Sequence, residues 1–128
     1  MVATGLVLAG VAAALHVYIF WLESLAWTTP RARATFGTTE QEAAATRELA
    51  FNQGFYNLFL AVVTAVGIVL VVAGSTGAGA ALVLAGTGSM LAAALVLFLS
   101  SHDKRAAALT QGAVPLLAVV ALVVGLAL

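Results

Sequence analysis

The sequence predicts an all-α protein, a bundle of four transmembrane helices with a short interfacial helix between the first and second. Three observations predict it. The 128-residue chain is 63% hydrophobic and only 8% charged, against about a quarter charged in an ordinary soluble domain, and its mean hydropathy is +1.14. Its apolar residues gather into four runs, each near the ~20 residues that a helix needs to cross a ~30 Å hydrocarbon core. No run alternates apolar and polar in the roughly ten-residue segments of a membrane β-barrel. A soluble fold of this length needs more polar surface than these side chains supply, which excludes a soluble enzyme or a disordered tail. A nucleic-acid binder needs a basic excess, whereas the formal net charge here is zero. The chain has no cysteine, so disulfides, thiolate zinc sites and Cys nucleophiles are excluded.

The whole chain reads as one integral membrane domain. Its first span runs from Val2 to about Trp27. It lacks the basic flank of a cleaved signal and outruns a signal's apolar core, so it is expected to persist as a helix. Pro30 disfavours helix in the residue before it and ends this span. Thr29 can then cap a new short helix with Pro30 in its first position and Gly37 closing it. That segment carries Arg31, Arg33 and Phe36, a mixture suited to the membrane surface. Thr39 and Glu42 have the spacing of a capping box, so the second long helix is expected to start near Glu40, ahead of its embedded part at about 51–73. The run Gly74-Ser75-Thr76-Gly77-Ala78-Gly79 reads as a short turn. The third span follows at about 80–99 and the fourth at about 107–128. Small residues Ala81, Ala85, Ser89 and Ala93 recur every four positions on the third span, a pattern expected to form its packing face.

Arg31, Arg33, Arg47, Lys104 and Arg105 all fall in or beside the first and third connections. Those connections share one side of a four-span protein, so the positive-inside rule places them in the cytoplasm and both termini outside. Such a one-sided split also argues against insertion in both orientations.

Ionisable and amide side chains inside spans are costly and usually face the bundle interior, so each is a candidate for function. His16 and Glu23 lie seven residues apart and return to one helix face, separated by roughly 10 Å along the axis. That is too far for a direct acid–base pair, yet it leaves room for a substrate between them. Glu23 and His16 are accordingly the candidate catalytic residues. Asn52, Gln53, Tyr56 and Asn57 form a dense polar arc at the start of the second span, with Gly54 among them allowing close approach of a backbone or ligand. With Gln111 on the fourth span and Trp27 at the end of the first, they are the candidate substrate-binding residues. All but His16 lie near the cytoplasmic end, and the outer half of every span is apolar. A path for polar solutes needs wettable groups along its length, so the pattern favours a blind pocket over a channel. Plainer roles compete. Glu23 can snorkel and pair with Arg31, Arg33 or Arg47, His16 can link helices, and the amides can act as interhelical glue. Tyr56, Trp21 and Trp27 fit interfacial aromatics, and His102-Asp103 a solvated loop. Two histidines and scattered carboxylates do not make a metal site, and no nucleotide motif is present, so no cofactor is expected.

The runs His16-x-Tyr18-Ile19-Phe20-Trp21-Leu22-Glu23, Trp27-Thr28-x-Pro30-x-x-Arg33, Phe36-Gly37, Asn52-Gln53-Gly54-x-Tyr56-Asn57 and Gln111-Gly112 with Pro115 together resemble a bacterial family of small membrane proteins. It is catalogued as a domain of unknown function, numbered 1304. The resemblance covers essentially the whole chain. It implies a four-helix membrane protein of the bacterial cytoplasmic membrane and names no reaction.

The residues lead to an acid/base enzyme or binder acting on a lipophilic small molecule, with membrane lipids as its surroundings and isomerisation, cyclisation or epoxide opening as fitting chemistry. The rivals are a proton-coupled transporter of lipophilic compounds, working as a homo-oligomer, and a structural membrane subunit.

Overall fold

The computed structural model describes residues 1–128 and contains helices and turns but no strand. Four helices are long and apolar enough to cross a membrane, Val2–Leu25, Arg47–Val72, Thr76–Ser100 and His102–Ala127, and they mark an integral membrane protein. We label the helices α1 (Val2–Phe20, continued by a π-turn over Trp21–Leu25), α2 (Pro30–Phe36), α3 (Glu40–Ala45), α4 (Arg47–Val72), α5 (Thr76–Ser100) and α6 (Arg105–Ala127). Each long helix packs on the next, with α1 against α4, α4 against α5, α5 against α6 and α6 back against α1. The bundle therefore runs up and down, with the first and third connections at one end and the chain termini and α4–α5 turn at the other.

The connection between α1 and α4 follows its local chemistry. The Thr29 hydroxyl accepts from the Ala32 N–H with Pro30 in the first turn, and Gly37 closes α2 at φ 67°, a left-handed conformation that glycine adopts without steric cost. Thr39 and Glu42 form the reciprocal capping box of α3. The helix begun there does not run unbroken into the second span, because it is interrupted at Thr46, which sits at φ −104° and ψ 8°. Its hydroxyl donates back to Glu42 O at 2.7 Å and accepts the Trp27 indole N–H at 3.2 Å.

The capping box makes the start of α3 pH-dependent. Thr39 N–H donates to Glu42 Oε2 at 2.9 Å, which holds the Glu42 carboxyl below its ordinary value of 4.5, with Lys104 adding a smaller pull. A lowered folded-state value means that this stabilisation is complete above the unfolded value and is lost as pH falls through the folded one. Backbone amide protection in α3, corrected for intrinsic exchange, is expected to decline below about pH 4.5. In Glu42→Gln the decline should flatten while the helix persists.

The end of the bundle holding the termini is closed by glycines. A Cβ on Gly67 would lie 2.7 Å from Val83 N, and one on Gly79 would lie 2.7 Å from Gly67 O. The α4 and α5 backbones therefore touch. At the same end a Cβ on Gly5 of α1 would lie 2.8 Å from Leu122 N of α6. Ala9, Val83, Ala118 and Leu122 form the small buried cluster beneath these contacts.

One expectation is overturned here. Ala81, Ala85, Ser89 and Ala93 are all exposed, and α5 instead buries Gly79, Ala80, Val83, Gly86, Thr87, Met90 and Ala94. In a bilayer the lipid is as apolar as the core, so closeness of approach and not hydrophobicity selects the packing face. The glycines at 79 and 86 permit a closer approach than the alanine stripe.

Candidate functional site

The end bearing the first and third connections is open where the other is closed. A cleft of about 380 Å³ lies there, and its walls include Glu23, Trp27, Thr38, Thr46, Gln53 and Lys104. Glu23 sits in the middle of the π-turn, whose signature bond runs from Ala26 N–H to Trp21 O at 3.0 Å. Such turns insert one residue into an α-helix and are frequent at functional sites.

Close approach of α1 and α4 positions the carboxylate. A Cβ on Gly54 would collide with Ser24 Oγ and come within 3.0 Å of Ser24 N and 3.1 Å of Glu23 Cβ. Only glycine lets α4 come this near to the π-turn. Two hydrogen bonds then cross the contact. Ser24 Oγ donates to Phe51 O at 2.8 Å, and Asn57 Nδ2 donates to Glu23 Oε2 at 2.8 Å. Asn57 is in turn oriented by a 3.3 Å bond from the same nitrogen to Gln53 O. The bonded partner of Glu23 is thus a neutral amide and not Arg31, Arg33 or Arg47.

The candidate residues divide into those the cleft gathers and those it does not. Glu23, Gln53 and Trp27 line it, and Asn57 joins them through its bond to Glu23. Asn52 points outward and donates to Glu48 O at 3.0 Å, and Tyr56 is 68% exposed. Each stands two positions from Gly54, or about 200° around the helix, so each lies on the face away from α1. Gln111 lines a different cavity of about 270 Å³ between α1, α2 and α6, beside Tyr18, Leu22 and Phe36. His16 is 3% exposed and donates from Nδ1 to Ala12 O at 2.9 Å, about two turns from Glu23 and outside the cleft walls. No group of three His, Asp or Glu side chains is placed to hold a metal ion.

Ser24, Thr38, Thr46 and Lys104 belong to the cleft region and went unmarked in the sequence. Adjacency to Glu23 was the available signal for Ser24. Nothing local distinguishes Thr38 or Lys104, which reach the cleft through the folding of two separate connections. Thr38 Oγ1 is buried and makes no hydrogen bond within the protein.

The cleft can therefore present a carboxyl group held by an amide, beside hydroxyl, amide and ammonium groups and the further carboxylates of Glu42 and Asp103. The Asn57–Glu23 contact sets a measurable cost. Asn57→Leu removes the donor and is expected to lower stability by roughly 0.5–1.5 kcal/mol, the usual net worth of one hydrogen bond whose partners keep some access to water. Thermal unfolding in detergent checks this, and the Glu23→Leu/Asn57→Leu double variant should lose less than the sum of the single changes.

No curated protein and no solved structure matches the chain. A family model does match, over residues 10–123. The chain belongs to the family described as Protein of unknown function (DUF1304).

Proposed function

We propose that the protein is a membrane-embedded acid/base catalyst acting on the polar end of a lipophilic small molecule, with Glu23 exchanging the proton. Gln53, Thr38 and Thr46 orient that polar end, Asn57 holds the carboxyl group in place, and the apolar remainder of the substrate stays in the bilayer. The positive-inside rule applied to Arg31, Arg33, Arg47, Lys104 and Arg105 puts the cleft on the cytoplasmic side, in the inner leaflet, with both termini outside. By the same reading α2 rests on the membrane surface.

The observation that carries the proposal is the bond from Asn57 of α4 to Glu23 of the π-turn, at the wall of a cleft that opens where the connections meet. General acid–base catalysis needs a titratable group within hydrogen-bond reach of the reacting proton, and this carboxyl is both fixed and accessible. Isomerisation, cyclisation and epoxide opening are proton-driven and fit these groups. The far end favours a blind site over a path through the membrane, because glycine contacts close it and its side chains are apolar.

The test uses the full chain in lipid nanodiscs supplied with a total membrane lipid extract and followed by untargeted mass spectrometry. Wild type is expected to consume one lipophilic species and accumulate an isomer or hydrated product, and Glu23→Gln to leave that species unchanged. Identical lipid profiles with wild type and with Glu23→Gln would overturn the proposal.

A further inference from the structure

Across the bundle from the α1–α4 contact, α5 and α6 enclose an apolar groove of about 330 Å³. Leu91, Leu95 and Phe98 of α5 face Leu109, Ala113 and Leu116 of α6 along it. From Leu91 to Phe98 is seven residues, roughly 10 Å of groove at the helical rise. Leu95, Leu109 and Leu116 are exposed, so the groove opens sideways to the lipid.

Its end near the third connection carries a positioned cation. Arg105 Nε donates to Phe98 O at 3.1 Å, and the guanidinium carbon stands 4.9 Å from the centre of the Phe98 ring. These contacts hold the guanidinium over the aromatic ring that ends the groove, while Nε is the only one of its nitrogens bonded within the protein. Arginine presents its remaining N–H groups in a rigid fork that matches phosphate oxygens.

A fixed guanidinium above an apolar groove that opens to the lipid has the charge and polarity complement of one ligand class. A neutral lipophile leaves the cation without a counter-charge. A second copy of the chain, laying an apolar helix face on the groove, would likewise leave the guanidinium without a counter-charge. We propose that the α5–α6 groove binds an anionic phospholipid, its phosphate on Arg105 and one acyl chain between Leu95 and Leu109. This site is separate from the Glu23 cleft and independent of the catalytic proposal.

Native mass spectrometry of the detergent-purified full chain, with phosphatidylglycerol and phosphatidylcholine of matched acyl chains, tests it. Wild type is expected to retain one phosphatidylglycerol in preference to phosphatidylcholine, with the preference shrinking as salt rises. Arg105→Gln should reduce that preference roughly tenfold, the scale of one charge-assisted phosphate contact. Ala113→Phe, which fills the groove from an exposed position, should release the lipid with Arg105 intact. Equal retention of the two lipids by wild type would overturn the proposal, as would an unchanged preference in Arg105→Gln. A change of oligomeric mass in Ala113→Phe would also overturn it, because the groove would then be an interface between copies. The two variants act at different points, so a folding defect in one leaves the other and the wild-type competition decisive.

Discussion

Glu23→Gln is expected, on the proposed acid/base function, to lower turnover of a lipophilic substrate by about 10²–10⁴-fold, the contribution of a positioned general acid or base, with little change in melting temperature. The argument rests on shape. Glutamine keeps the length of the side chain and an oxygen that can accept the Asn57 amide at the 2.8 Å contact. It also remains compatible with the close approach of Gly54 to the π-turn. Only the exchangeable carboxyl proton is lost. The readout therefore separates the possible roles of this residue. A proton-coupled carrier would lose flux in liposomes with Glu23→Gln and show no conversion in detergent even as wild type. A purely structural Glu23 would leave Glu23→Gln indistinguishable from wild type, and its melting temperature would fall only in Glu23→Leu, which cannot accept the Asn57 bond.

The second large effect belongs to the closed end. Gly79→Ala is expected to destabilise the bundle by roughly 1–3 kcal/mol or more, the range for overpacking a well-packed core. The new methyl would meet Val71 N at 2.5 Å, Val71 Cγ2 at 2.6 Å and Gly67 O at 2.7 Å. Two of those three atoms are backbone and cannot rotate aside, so α4 and α5 must separate. Gly67→Ala should cost a similar amount, since its methyl would meet Val83 N at 2.7 Å and Gly79 O at 2.8 Å. One separation of the helices relieves both clashes. The double variant should consequently lose less than the sum of the two, as neighbouring substitutions do. Thermal unfolding in a single detergent checks all three, and additive losses would show that the helices do not move as rigid units.

How much of this was legible in the sequence depends on which physical signal carries each feature. The four spans were legible because the bilayer imposes a length and a composition on every crossing helix. The caps at Thr29, Gly37 and Thr39 were legible because each is a local bond between near neighbours. The faces of the helices were not. On α5 the residues on opposite sides are equally apolar, and the glycines at 79 and 86 outweighed the more regular alanine stripe. On α4 the polar arc spans too much of the circumference to lie on one wall. Gly54 decides which part faces α1, leaving Asn57 and Gln53 near Glu23 and turning Asn52 and Tyr56 away. Gln111 reaches another cavity because α6 packs on the opposite flank of α1 from α4. Rotation and adjacency of helices are collective results, and no window of sequence contains them.

The π-turn gives Glu23 a further meaning in terms of helical phase. Five residues, Trp21–Leu25, occupy a stretch that a regular helix would cover with one fewer. The end of the turn is therefore rotated by about one residue, roughly 100°, relative to an uninterrupted α1. The helix ends directly after the turn, and Trp27, two residues on, donates its indole N–H to Thr46 Oγ1 at 3.2 Å. A widened turn also loosens the backbone bonding of its neighbours, a cost that hydrocarbon punishes severely and a wet boundary does not. Its position at the last turn of the span, beside the cleft, is where such an extra residue can be kept. Removing Trp21 or Leu22 would restore a regular helix, and it would bring Ser24 in place of Glu23 to face Asn57.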